Sequence, residues 1–573
     1  MSDREMQVDP KATRRVPLEF DKEGCPTFSS CKSPESFTPH ALAICPPHTV
    51  IPVIFVPGIM GTNLRMTKNK DEAWSPPNGL LAGMGEAVSR ARQSGASRQA
   101  QFNPNDTEVN PDGACSIPSN FYMLTKSEAK KRGWGALHAD SYHGTLQQLE
   151  IILNEQYSKP GRSEENGNHM LAEIGMLLHL GSSAETDTKN GKPNYSKAAA
   201  KACKAWGQTP EPLNKAEIDN LDNYYYPVWA HGYNWLQSCE ESAKSLLSKI
   251  DEVLAYYEKS PYFHCDGKVI LISHSLGGFV TRRAAQMSDA NILGIVHGVQ
   301  PVAGAPVVYR RFRAGTEVDS FYDLAGAGAA AVIGWSAADI TPALSCAPGP
   351  LELLPTKHYP AGWLKFVQTS GGEEKQLLEP LPKSDPYEEI YGKTTDDCWW
   401  GMVDSSLIDP MKKYTQSEPL EAYKDALKVA KKFHDNVGLY AHPKTYGYYG
   451  IDDKKYFTFG SICWQTNDKL IGGSEAALFS SKDQWRNTTG KSKVSFGENQ
   501  VTSFKLANDK DLAGDGTVPL HSGAALEKLS PTPLNVFKLS GFDHQMSYAN
   551  KYALQSTIYS IAKLIQLAEP AKP

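Results

Sequence analysis

Three residues far apart in the chain, Ser275, Asp515 and His544, have the side-chain types needed to cleave an ester. A serine hydroxyl is a weak nucleophile near neutral pH. It needs a base within hydrogen-bond reach and an acid to orient that base. Ser275 lies inside Ser273-His274-Ser275-Leu276-Gly277-Gly278, between the apolar run Val269–Ile272 and helix-compatible sequence. Strand, sharp turn and helix with a serine at the apex is one residue away from a G-x-S-x-G nucleophile elbow, because Ser273 stands where the first glycine would be. Asp515 sits in Gly514-Asp515-Gly516-Thr517-Val518-Pro519, a loop that can present a carboxylate. His544 follows the strand candidate Asn535–Leu539 and precedes a closing amphipathic helix near Lys551–Leu567. Each has a plainer reading alone: G-D-G is a turn former, and His544 could cap the last helix. Asp543 competes for the acid role, but its side chain should point away from that of its neighbour. His274 reads as structural and His231 as part of the core or the site wall. A metal role is the least supported reading of His138, His143 and His231.

The order Ser, Asp, His is the order in which the α/β-hydrolase fold presents these groups, and that fold is the expected class: a mostly parallel sheet flanked by helices, with large cap insertions. The run Ile51–Val56 suits a strand buried on both faces, ending in Pro57-Gly58-Ile59-Met60-Gly61. In a serine hydrolase the loop after such a strand supplies one backbone N–H to the oxyanion, here from Ile59 or Met60, and the residue after the nucleophile, Leu276, supplies the other. Further strand candidates are Tyr226–Ala230, Gly294–Val299 and Tyr456–Ile462. Helical spacing marks Tyr142–Tyr157, Met170–Leu180, Cys239–Lys259 and Pro419–Asn436. These pieces imply a discontinuous core of residues 51–66, 225–306 and 456–573. Residues 67–224 and 307–455 are read as insertions, the second as cap or lid, with small apolar Ala327–Trp335 as a candidate lid surface or a buried helix. Residues 1–50 read as an extended arm, a flexible terminus in preference to a docking segment.

Composition narrows the partners. The 573-residue chain is 40% hydrophobic and 21% charged, with a net charge of −5. So small a charge without a long basic run argues against nucleic acid. The first 50 residues lack a charged start followed by an apolar core, so no secretory signal peptide is visible. Ten cysteines without C-x-x-C pairs argue for free thiols and against zinc. No cofactor or metal is expected.

Taken together, V-P-G-I-M-G-T-N-L at 56–64, the S-H-S-L-G-G elbow, E-L-L-P at 352–355, G-D-G-T-V-P at 514–519 and D-H at 543–544 resemble serine lipases of the PGAP1-like and lecithin:cholesterol acyltransferase-like type. With R-G-W-G-A-L-H-A-D-S-Y-H-G-T-L at 132–146, the chain is most similar to bacterial type VI secretion lipase effectors. The resemblance implies Ser275 as nucleophile, Asp515 and His544 as acid and base, and backbone donors at Leu276 and near Ile59. It implies hydrolysis of membrane phospholipid acyl esters, a cognate immunity protein, and secretion spike or adaptor proteins as partners. It also implies synthesis in the cytoplasm and action at the target-cell periplasm or membrane. A carboxylesterase or neutral-glyceride lipase is the alternative activity, and a non-catalytic hydrolase shell the alternative of another class.

Overall fold

The computed structural model describes residues 13–29, 40–76, 93–118, 121, 123–154, 174–181, 195–317, 334–370, 372–414, 418–470, 474–496 and 500–569. Its organising layer is a parallel sheet made from β1 (Val53–Val56), β2 (Val228–Ala230), β3 (Val269–His274), β4 (Ile292–Gly298), β7 (Thr445–Gly450) and β11 (Asn535–Leu539). The strands lie in the order β2-β1-β3-β4-β7-β11, every neighbouring pair parallel. Every residue of β1 to β4 is buried. That is why they read as short continuous apolar runs: helices cover both faces, so neither face can be polar. Fully burying one such valine or isoleucine is worth about 1.5–3 kcal/mol, and the sheet's stability rests on this repetition.

The helices follow their sequence signals closely. Ala139–Asn154 (α1), Cys239–Glu258 (α2), Gly277–Met287 (α3), Pro419–Val437 (α4) and Lys551–Ile565 (α5) lie where apolar spacing expects them, α3 following from the elbow. Ser238 caps α2 by accepting the Glu240 N–H, and Asn550 caps α5 by accepting from Tyr552 and Ala553. Residues 174–179 are helical, and the rest of the Met170–Leu180 expectation lies outside the described residues. The fold is that of an α/β hydrolase.

The expected division of the chain needs three corrections. First, Tyr456–Ile462 does not resume the parallel sheet; Thr445–Gly450 does, so the core restarts eleven residues before the expected boundary. Instead, β8 (Ile462–Thr466) joins a second sheet with β5 (Leu364–Ser370), β6 (Glu373–Leu381), β9 (Lys491–Phe496) and β10 (Gln500–Leu506), ordered β6-β5-β8-β10-β9. This mixed sheet unites part of the expected second insertion with part of the expected core.

Second, residues 67–224 are not wholly an insertion beside the core. Leu146, Leu149, Ile152 and Leu153 of α1 share one buried cluster with Val53, Phe55, Ile270 and Ile272, so α1 is a layer of the core itself. Third, within the expected arm of residues 1–50, residues 18–28 are docked, while 1–12 and 30–39 lie outside the described residues. Leu18–Phe20 and Pro26–Phe28 form an antiparallel pair, and the Phe20 ring lies 6.1 Å from Tyr225 and 5.4 Å from Phe263. Leu18 and Phe20 are buried in the main hydrophobic cluster. The candidate lid at residues 327–333 lies outside the described residues; Trp335 at its end is exposed.

Candidate active site

Ser275 follows β3, His544 follows β11, and Asp515 lies in the loop after β10, held beside the end of β7 by the Asp452–Gly514 backbone bonds. Ser275 directly follows β3 with a φ of +52°, a left-handed conformation that a side chain rarely adopts. This is the strained turn that an elbow requires, and its N–H is held by the Gly298 carbonyl at 3.0 Å. The turn is also why glycine must follow. A Cβ on Gly277 would lie 2.5 Å from the Pro57 carbonyl oxygen and 2.6 Å from that of Val56. Ser273 in place of glycine is accommodated: it is fully buried and its hydroxyl bonds His297 Nδ1 at 2.8 Å. The missing glycine therefore does not open the turn.

His544 bridges the other two residues. Its Nε2 lies 2.8 Å from Ser275 Oγ and its Nδ1 lies 2.8 Å from Asp515 Oδ2. Asp515 is 1% exposed, and its other carboxylate oxygen accepts the N–H groups of Thr517 and Val518. Those two donors fix the G-D-G loop and aim the carboxylate at the imidazole. Asp543 instead accepts the Met546 N–H at 3.1 Å and shapes the turn that carries His544. Asp515 and not Asp543 is therefore the partner, as the opposed directions of neighbouring side chains require.

The expected backbone donors flank Ser275. The Pro57–Gly61 loop passes directly over it, since a Cβ on Gly58 would lie 3.0 Å from Ser275 Cβ and 2.8 Å from His274 Nδ1. Among the described residues, the N–H groups of Ile59 and Leu276 have no hydrogen-bond partner. Leu276 opens α3, where the first N–H groups of a helix have no partner within it. The loop is braced: Met60 has a φ of +62° and its carbonyl accepts from the Trp74 indole, while Tyr233 donates to Pro57.

Several residues of this neighbourhood carried no readable signal. Tyr142, one of many apolar positions on α1, donates its hydroxyl toward the elbow. Asp452 follows β7 and ties the acid and base loops together. Its backbone exchanges hydrogen bonds with Gly514 (2.8 and 3.1 Å), and its carboxylate accepts from Gly541 and from Lys454, Lys455 and Tyr456. Burial pushes that carboxyl up, but the four N–H groups outweigh it and hold it near a pKa of about 2. In the sequence Asp452 is one of two aspartates in a polar turn, and nothing marks it. Glu352, from the E-L-L-P stretch, lies buried at the start of α2. It accepts from Ser238 Oγ and the Cys239 N–H, with burial pushing its carboxyl up to about 8. It secures the helix that feeds the elbow strand and touches none of the three site residues.

His138, His143, His231, His274 and His297 lie outside the Ser275–His544–Asp515 path. Burial drives His231, His274 and His297 down to about 3, so they are neutral at physiological pH. His143 Nε2 lies 2.8 Å from the Trp134 carbonyl, and His138 bonds Ser141. Among the described residues, no group of three or more His, Cys, Asp or Glu could hold a metal ion.

A strained serine at the end of the third sheet strand, a histidine across from it, and a buried carboxylate behind that histidine can together activate an oxygen nucleophile. Fold and site define the class: the protein is a hydrolase of the α/β type. No protein-family model matches the chain, and no curated protein does. Among 23 matching chains of solved structures is one from the crystal structure of the Tle4–Tli4 complex, with a TM-score of 0.67 and 27% identity. The match covers 91% of this chain and 99% of that one.

Proposed function

We propose that the protein is a serine lipase that hydrolyses acyl esters of membrane phospholipids and acts as an antibacterial type VI secretion effector. The observation that carries the enzymatic part is the unbroken hydrogen-bond path from Ser275 Oγ through His544 to Asp515, anchored on the strained Ser275 backbone. In this reading His544 Nε2 takes the proton as Ser275 Oγ attacks the acyl carbonyl carbon. The oxyanion is received by the N–H groups of Leu276 and Ile59, each worth about 3 kcal/mol of barrier by analogy with other oxyanion holes. His544 then protonates the departing lysophospholipid alcohol. A water molecule, deprotonated by His544, attacks the acyl-enzyme and releases the fatty acid. Asp515, bonded to His544 Nδ1, keeps the imidazole in the tautomer that can accept at Nε2.

The effector part is supported by the likeness to a chain of the Tle4–Tli4 complex along nearly the whole of both chains. It is also supported by the sequence resemblance to type VI lipase effectors. Because that neighbour was solved in a complex with another protein, a cognate immunity protein that occludes the cleft is the expected partner. Among the described residues no helix is long and apolar enough to cross a membrane.

Two measurements test these parts separately. Mass spectrometry of products from mixed phospholipids should show fatty acid and lysophospholipid appearing together. Products from simple esters or neutral glycerides alone would replace the phospholipase reading with the corresponding esterase or lipase. Expression in the bacterial periplasm should be toxic and cytoplasmic expression tolerated. Harmless periplasmic expression of active protein would remove the effector role while leaving the chemistry intact.

A further inference from the structure

One run of hydrogen bonds connects the loop that carries the Ile59 N–H to the loop that carries His544. The Gly58 N–H donates to Tyr142 Oη at 3.0 Å, Tyr142 Oη meets His274 Nδ1 at 2.9 Å, and His274 Nε2 meets the His544 carbonyl at 2.9 Å. The donor directions are fixed by chemistry. A carbonyl oxygen only accepts, so His274 Nε2 carries the proton, and in a neutral ring Nδ1 must then accept from the tyrosine. The tyrosine oxygen in turn accepts from Gly58. Gly58, Tyr142 and His274 are buried, so breaking either bond to the tyrosine oxygen leaves a polar group stranded. Gln545, next to His544, also interacts with the Tyr142 hydroxyl. Packing reinforces the run. A Cβ on Gly61 would lie 2.6 Å from the Tyr142 ring, and the His274 ring lies 5.6 Å from Tyr142 and 5.1 Å from His544.

We propose that Tyr142 and His274 are a positioning pair that sets the oxyanion loop and the base loop together over Ser275, so that the Ile59 N–H and the His544 imidazole keep one mutual geometry. The proposal rests on the serine-hydrolase reading above. Neither residue touches the reacting atoms. Tyr142 comes from α1 and His274 from the end of β3, so the pair also explains why the 132–146 stretch belongs with the motifs of the site. The pair requires a neutral His274: a charged ring would present a donor at Nδ1 in place of the acceptor that the tyrosine hydroxyl needs. Burial, with the nearby His544 acting in the same direction, holds it neutral, while Asp515 and the His544 carbonyl act the other way.

The test uses the full-length protein with a soluble short-chain ester, reading kcat and KM separately, with fluorophosphonate labelling and thermal melting alongside. Tyr142→Phe keeps the ring and removes only the oxygen. We expect it to lower kcat about 10- to 100-fold with KM changed less than about twofold, and to lower the melting midpoint by only a few degrees, leaving the protein folded at the assay temperature. His274→Leu should do the same. His274→Gln has one donor and one acceptor on its amide and should recover kcat to within roughly fivefold of wild type. If His274→Leu does not fold, Tyr142→Phe decides alone. Wild-type kcat in Tyr142→Phe, or a loss confined to KM, would overturn the pair while Ser275→Ala remains inactive. A wild-type protein that neither turns over nor labels overturns the serine-hydrolase reading, and the pair with it.

Discussion

In the parallel sheet every residue of Val53–Val56, Val269–His274 and Ile292–Gly298 is buried, whereas in the mixed sheet β10 alternates, with Val501 56% exposed and Thr502 buried. The two sheets solve different problems. Strands sealed on both faces cannot shift register without exposing apolar surface or crushing a helix, so their ends are fixed points. The serine follows such an end directly, and the acid loop is tied to the end of another sealed strand, β7, through the Asp452–Gly514 backbone bonds. A sheet with one wet face tolerates substitution and local movement, and no candidate site residue lies on it. The difference predicts where substitutions should matter, and by how much.

The largest effect should come from the acid. Asp515→Asn leaves the shape intact but removes the charge that fixes His544, and the rate of ester hydrolysis should fall by about 10⁴-fold with an unchanged fold by circular dichroism. A fall below tenfold would place the orienting acid elsewhere. Next is the turn after Ser275. Gly277→Ala forces a Cβ against two carbonyl oxygens of the Val56–Pro57 segment and should cost about 3 kcal/mol of stability and most of the activity. The counterpart beside the mixed sheet is Gly372, between β5 and β6, where φ is +87° but nothing lies within 4 Å. Gly372→Ala should cost only about 1 kcal/mol, from backbone strain alone, with activity intact. Equal penalties measured by denaturant titration would erase the contrast.

Acid should damage the parallel sheet first. Burial depresses His231, His274 and His297 to about 3 and His434 to about 4, and all four pack on or beside that sheet. The unfolded chain protonates them near 6.5, so below that pH it binds more protons than the folded state. The stability they permit is complete above about 6.5 and is lost as pH falls, at about 1.4 kcal/mol per pH unit for each histidine. The melting midpoint should therefore drop steeply between pH 6.5 and 4.5. A flat midpoint would mean that these rings are not held neutral. The smallest effect belongs to the mixed sheet's wet face: Val501→Lys should change stability by less than about 0.5 kcal/mol and leave the rate unchanged.

The same contrast governs how much could be read in advance. V-I-F-V and V-I-L-I announce strands because both faces are apolar, Ser275 follows the second of these runs, and Asp515 and His544 come after it in a telling order. In β10 the sequence Q-V-T-S-F-K-L hides its period: Val501 points to water and Thr502 inward, so apolar and buried positions do not coincide until Phe504. In β7 the sequence T-Y-G-Y-Y-G is fully buried but carries two glycines and three tyrosines, which resemble a loop. That concealment displaced the expected core boundary from Thr445 to Tyr456. The site's hydroxyl and imidazole contacts beyond Ser275, Asp515 and His544 were equally hidden. Tyr142 looks like one more apolar helix position, and Asp452 like a turn, because their roles arise from contacts across 132 and 89 residues of chain.

The central claim is that Ser275 is a nucleophile activated by His544. Intact-mass measurement after exposure to a fluorophosphonate tests it most directly. One stoichiometric adduct is expected, mapped by peptide sequencing to Ser275, absent in Ser275→Ala and slowed by about 10³-fold or more in His544→Ala. Labelling that persists in Ser275→Ala, or an unmodified Ser275 in protein that hydrolyses ester, would contradict it.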